Sequence, residues 1–168
     1  MTEEVILVDS NDNETGLMEK QEAHLKAQLH RAVSVFIFNS RGELLLQKRA
    51  DVKYHSPGLW TNTVCTHPRH NESNETAASR RLEEEMGIQG VKLKKLFDFI
   101  YKEELKNGLT EYEFDHVFAG VSDELPTPEP SEVSGFEYIE GRLLLELIRV
   151  NPENYTVWFR KIIDRVIT

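Results

Sequence analysis

The sequence predicts an α+β fold, an α/β/α sandwich around a mixed β-sheet, and three observations predict it. Runs rich in β-branched and aromatic residues mix with stretches of helix formers, without the regular strand–helix–strand period of a doubly wound sheet. Two turn signals, Asn39-Ser40-Arg41-Gly42 and Asn107-Gly108, each join a pair of strand-like segments. At 168 residues the chain is long enough to bury a real core, and residues 1–168 are expected to form one domain.

Taken in order, Val5 to Val8 is a short apolar strand ended by the turn cluster Asp9-Ser10-Asn11-Asp12-Asn13. Met18 to Gln28 is rich in helix formers and places Lys20 and His24 one turn apart on one face. Arg31 to Phe38 reads as a strand, and Glu43 to Lys48 as the returning arm of its hairpin. A polar loop over Lys53 to Gly58 precedes extended structure from Leu59 to Val64. Asn74 to Met86 is helical, with Gly87 as its C-cap. Val91 to Glu103 and Thr110 to Val121 form a long hairpin whose second arm puts Glu111, Glu113 and Asp115 on one face. Ser122 to Glu132, with three prolines among acids, is a surface loop. Phe136 to Ile139 is a strand, and Leu143 to Val150 and Tyr155 to Ile167 are helices.

Composition excludes several functions. A formal net charge of −9 argues against nucleic acid or an anionic membrane as the main partner. No apolar run approaches the length needed to span a bilayer. The start lacks the basic and apolar regions of a signal peptide, and a lone cysteine suits a reducing cytoplasm. A small anionic substrate stays compatible, because a few basic groups and a metal can meet its charge.

The chemistry-bearing residues gather around Cys65, two residues before His67, so that both side chains share one face of an extended segment. His24, His30, His67, Glu111 and Glu113 make a credible metal shell whose nitrogen and carboxylate donors suit zinc, manganese or iron. Taken singly, each histidine is better explained by a structural role, and paired acids on a strand are more often a wet face. Beside a ligating histidine, Cys65 becomes a candidate acid–base thiol or nucleophile, and local evidence leaves its role open. Arg80–Glu84 and Arg81–Glu85 have the spacing of solvated helical ion pairs.

Glu72, Arg80, Leu82, Glu84, Glu85, Gly87 and Ile88 stand at the spacing of the Nudix box, with Thr66 at its first glycine and Arg81 at the glutamate after its arginine. Asn62-Thr63-Val64-Cys65-Thr66-His67-Pro68 and Glu111-Tyr112-Glu113 resemble the two signatures of the type I isopentenyl-diphosphate isomerases, a branch of the Nudix superfamily. Arg49, Lys53, Pro57-Gly58 and Trp60 follow in order, and the similarity runs from about Val5 to Trp158.

The resemblance implies a Nudix-like sandwich and a 1,3 proton shift that interconverts isopentenyl and dimethylallyl diphosphate through a tertiary carbocation. It implies Cys65 and Glu113 as the two acid–base groups, Tyr101 as a partner of Glu113, and the face of Trp158 as the support of the cation. Lys20, Arg49, Lys53 and Arg81 would grip the diphosphate. His24, His30, His67, Glu111 and Glu113 would hold one zinc or manganese ion, and Glu85 a magnesium ion that accompanies the diphosphate. A cytoplasmic monomer or weak dimer is expected. The rivals are a Nudix pyrophosphohydrolase, which has no use for Cys65 or Arg81, and a catalytically silent binding module.

Overall fold

The computed structural model describes residues 3–53 and 55–167. One mixed sheet forms its centre, and the middle strand is β3 (His30–Phe38), flanked by β1 (Glu4–Val8) and β2 (Glu14–Glu19) on one side. β3 runs parallel to β8 (Thr110–Val121), in register from His30↔Glu113 to Phe38↔Val121. β8 forms the expected antiparallel hairpin with β7 (Lys94–Glu104). The hairpin foreseen between β3 and β4 (Leu44–Arg49) closes only at its turn, where Phe38 faces Leu44, and the two strands then diverge. Residues 60–66 fill the opening as β5 (Trp60–Thr61), paired with β4, and β6 (Val64–Thr66), paired with β3.

Two polar side chains close the gap between those short strands. Asn62 Nδ2 donates to the carbonyls of Val35 and Val64 at 3.1 and 2.9 Å. The Thr63 hydroxyl accepts from the Ile37 amide at 2.9 Å and donates to the Leu45 carbonyl at 2.7 Å. Both residues are fully buried, where each backbone group left unpaired costs about 1–3 kcal/mol. Side-chain bonds thus stand in for ladder bonds, and the continuous extended run expected over Leu59–Val64 is broken at Asn62 and Thr63.

Helices cover both faces. α2 (Asn74–Met86) buries Ala78, Leu82 and Met86 against Val33, Val35, Leu45, Val64 and Phe118. The Ser73 hydroxyl accepts from the Thr76 amide to start it, and Gly87, at φ 66°, ends it with Thr127 packed where a Cβ would stand. On the opposite face α3 (Gly141–Val150) and α4 (Val157–Ile167) cover Phe36, Leu44, Leu46 and Val117. β9 (Val133–Ile139) pairs with β4. Among the described residues no helix is long and apolar enough to cross a membrane.

Several boundaries differ from the sequence expectation. Met18 and Glu19 belong to β2, and α1 covers only Lys20–Leu25. The Asp9 carboxylate binds the amides of Asn11 and Asn13 and closes a turn, so residues that favour helix are drawn into pairing with β1. The Glu19 carboxylate then caps α1. β7 starts at Lys94 because Val91 and Leu93 pack into the layer under α2. α4 starts at Val157 because Tyr155 bridges Trp60 and the Thr156 amide donates to the Trp60 carbonyl.

Candidate active site

Alternation along two parallel strands builds the floor of a cleft. His30 and Ser34 of β3 and Glu111, Glu113 and Asp115 of β8 occupy the same alternating positions as Phe36 and Val117, which lie in the core under α4. One sheet face therefore changes from polar to apolar along its length. The carboxylates are buried, with Glu111 2% and Glu113 7% exposed, so the wet-face explanation of the paired acids is wrong. The cleft is lined by Cys65, His67, His55, Glu111, Glu113, Trp158 and Arg49 at one end and by Lys20, Lys53, Arg81 and Glu85 toward the other. α2 lies across the opposite face of the sheet, and its Glu85 reaches the cleft where Gln47 of the divergent β4 donates to it at 3.0 Å.

Four of the foreseen metal ligands converge. Donor atoms of His24, His30, His67 and Glu113 all lie within 4.8 Å of one another, and so do those of His24, His55 and Glu111. The His24 and His30 Nδ1 atoms lie 2.8 and 2.9 Å from the backbone carbonyls of Lys20 and Gln28, which can only accept, so each Nδ1 carries a proton. In a neutral ring Nε2 is then a bare lone pair. Yet His30 Nε2 stands 3.1 Å from Glu113 Oε2, and His67 Nε2 reaches the same oxygen at 2.9 Å. A His30 lone pair facing a carboxylate would repel it, so a proton or a cation must lie between them, whereas His67 Nε2 is able to donate. Glu111 Oε2 is buried without a hydrogen bond, at 3.5 Å from His24 Nε2. These donors fit a divalent cation held by imidazole nitrogen and carboxylate oxygen, with backbone carbonyls fixing two of the rings.

The ionisation of the cluster is uneven. Burial opposes the charge on Glu113, but the contacts from His30 and His67 outweigh it and hold the carboxyl well below its usual range. Burial, reinforced by the charge of Glu113, pushes Glu111 well above it. Asp115 is raised for the same two reasons, and it accepts the Ser34 hydroxyl at 2.7 Å. The Tyr101 hydroxyl donates to Glu113 Oε1 at 2.6 Å, and burial keeps that phenol protonated.

Cys65 is free and sits beside its β3 partner Ser34. Its thiol donates to Asn62 Oδ1 at 3.3 Å and lies 3.7 Å from the Ser34 hydroxyl, while the Trp158 indole N–H donates to the sulfur at 3.1 Å. Burial and the Asp115 carboxyl push the thiol up to about 12. The Trp158 ring also receives the Arg49 guanidinium at 5.3 Å from its centroid, and Arg49 donates to the carbonyls of His55 and Ser56.

At the other end Arg81 reaches Glu85 at 2.6 Å and Glu132 at 3.0 Å, Lys53 pairs with Glu132, and Lys20 pairs with Glu3 at 2.9 Å. Burial raises Glu85 against the pull of Arg81. Arg80 points away and clamps Glu72 at 2.8 Å and Glu84 at 3.0 Å, a structural role for the box's arginine.

Sequence reasoning missed His55, Ser34, Asp115 and Glu132. His55 stands 3.5 Å from Glu111 Oε1, and burial with nearby Arg49 holds it down to about 2, so it is a neutral donor. Its only signal was a histidine inside a loop already framed by Arg49 and Pro57-Gly58.

A sequence profile of the NUDIX domain matches residues 28–165. The chain is 50% identical over 163 residues to the isopentenyl-diphosphate Delta-isomerase of Pectobacterium atrosepticum, covering 97% of this chain and 90% of that protein. It is 51% identical over 164 residues to isopentenyl-diphosphate Delta-isomerase 2 of Photorhabdus laumondii, covering 98% and 92%. The crystal structure of a Deinococcus radiodurans protein superposes with a TM-score of 0.82 at 23% identity, covering 97% of this chain and 98% of that one, which is a likeness of fold.

Proposed function

Because this chain belongs to the NUDIX-domain family and, within it, to the isopentenyl-diphosphate Delta-isomerases, we propose that its cleft interconverts isopentenyl and dimethylallyl diphosphate, a step of isoprenoid biosynthesis, with Cys65 and Glu113 as the acid–base pair. The observation that carries this reading is a free thiol and a carboxylate of the imidazole cluster lining one cleft with Lys53 and Arg81 toward its far end, where burial raises the thiol and the histidine contacts lower Glu113. A 1,3 shift needs one proton delivered to the alkene and another removed from the carbon on the other side of the double bond. Protonation gives a tertiary carbocation, and loss of the second proton restores an alkene one bond along. The resting pair holds one proton and one vacancy, which is the starting state of one direction and, by microscopic reversibility, the finishing state of the other.

Tyr101 positions the Glu113 carboxyl through its 2.6 Å bond and stays neutral. Trp158 orients the sulfur through its N–H and offers a π face to the carbocation, worth about 1–2 kcal/mol when desolvated. No nucleophile can serve there, because it would trap the cation. His24, His30, His67, Glu111 and Glu113 would hold one zinc or manganese ion, and His55 enlarges that set. Such an ion would lower the proton affinity of a carboxyl that shares its oxygens.

Lys20, Arg49, Lys53 and Arg81 grip the diphosphate, with guanidinium forks matched to its oxygens. Glu85 would hold magnesium together with substrate oxygens. Arg81, in place of the box's acid, neutralises Glu85 at 2.6 Å, so the group that would activate a hydrolytic water is replaced by one that keeps the diphosphate intact. A cytoplasmic monomer or weak dimer with a free, half-buried thiol completes the reading. Incubation with isopentenyl diphosphate tests it. An allylic diphosphate is expected, whereas released phosphate or no product overturns it.

A further inference from the structure

The basic end of the cleft already contains an anion. A single oxygen of Glu132, Oε2, bridges Lys53 and Arg81, as a phosphate oxygen would. Its placement is built into the fold. The Ala50 amide donates to the Glu132 carbonyl at 3.0 Å, and the Glu132 amide to the Glu129 carbonyl at 3.0 Å. β9 then begins, with a register shift opposite Lys48 and Arg49 that Ser134 spans by donating to both carbonyls. The side chain is half-buried, and although burial works against its charge, Lys53, Arg81 and Lys20 hold it ionised.

We infer that Glu132 is a displaceable internal counter-anion, which competes with the diphosphate for Lys53 and Arg81 and so weakens the grip on substrate and product alike. This rests on the reading of the cleft given above. Substrate and product of the isomerisation carry the same diphosphate, so affinity for that group falls equally on both ground states and on the transition state. Such uniform binding lowers KM without raising kcat, and beyond saturation it only delays release. A resident carboxylate that yields the two cations to an entering diphosphate, and retakes them as it leaves, keeps them oriented and limits that excess affinity. Arg81 stays anchored by Glu85 throughout, so one cation is positioned while its second partner changes.

The test is calorimetric titration of inorganic diphosphate, with magnesium, into the parent and Glu132→Gln, alongside steady-state kinetics. In the variant the dissociation constant should fall about three- to tenfold, the release of one to two weak ion pairs, and KM should fall in step without a gain in kcat. An unchanged or higher dissociation constant in Glu132→Gln overturns the inference, because a carboxylate that only props the two cations in place would weaken binding when removed. A parent protein that binds no inorganic diphosphate overturns the reading of the cleft itself. The solvent-exposed Arg149–Glu146 pair on α3 does not line the cleft and supplies the control, since Glu146→Gln should leave the dissociation constant unmoved.

Discussion

The two ends of the cleft follow opposite rules. At the histidine end His24, His30, Glu111 and Glu113 are buried, and the ionisation of the two carboxyls is set by burial and by neighbours a few ångströms away. At the basic end Lys53, Arg81 and Glu132 keep between 19% and 28% of their side chains in solvent, and each charge is met by an opposite one. Rigid, dry placement suits the making and breaking of C–H bonds, where a group displaced by an ångström loses most of its effect. Wetter, exchangeable pairs suit a ligand that must arrive and depart. The expected consequence is a separation of parameters, with mutations at one end read in kcat and at the other in KM.

The largest break should come from Cys65→Ala, with kcat lowered by about 10⁴-fold or more while metal content and the melting curve stay near the parent's. Near-normal turnover would remove the thiol from the chemistry. Glu113→Gln should follow closely and resist rescue by excess metal, because an amide still coordinates weakly but cannot move a proton. Glu111→Gln should recover in part. Deuterium uptake into the allylic product from heavy water, at saturating metal, separates them, and parent-rate uptake in Glu113→Gln would refute the two-sided mechanism.

His67→Ala should lower metal affinity by roughly 10–100-fold, whereas Glu85→Gln should retain the transition metal and lose magnesium-dependent diphosphate binding. Elemental analysis of both variants decides this, and equal losses would merge the two ends into one site. Lys53→Met should raise KM by about tenfold, one charge-assisted contact, with kcat within about twofold and a flatter dependence of KM on salt. The smallest effect expected is that of Trp158→Phe. A ring remains but the N–H to the Cys65 sulfur is gone, so kcat should fall by only about fivefold, the worth of roughly one neutral hydrogen bond. A loss as large as that of Cys65→Ala would make the indole N–H, and not its face, the essential feature.

Motifs were legible where chemistry is written locally. Cys65 and His67 lie in one extended stretch, Glu111 and Glu113 alternate on one strand, and α2 shows its start, its stop and its pairs in sequence. The sandwich was legible because strand-like and helix-forming stretches mix without a regular strand–helix–strand period and Asn107-Gly108 marks the long β7–β8 hairpin. The parts that were not legible depend on neighbours distant in the chain. Nothing near Ser34 shows that β6 will set Cys65 beside it, nor that Asp115 will stand on the other side across β8. His55 gains meaning only from Glu111, and Glu132 only from Arg81 and Lys53. The divergence of β3 from β4, which admits Glu85 to the cleft, rests on hydrogen bonds from Asn62 and Thr63 that look locally like any polar pair.

The parallel register of β3 and β8 ties the maturation of this protein to its folding. His30 and Glu113 become neighbours only when a chain of some eighty intervening residues closes on itself, at an entropic cost of roughly 4 kcal/mol for the loop alone. Before that closure His24 and His30, six residues apart, offer an ion no more than a local pair of imidazoles, without Glu113. The complete ligand set therefore exists only once the central strands have zipped, and full affinity for an ion would belong to the finished scaffold. Metal uptake in a refolding experiment should accordingly trail the appearance of sheet structure, so that the bound ion serves as a clock for the last step of assembly.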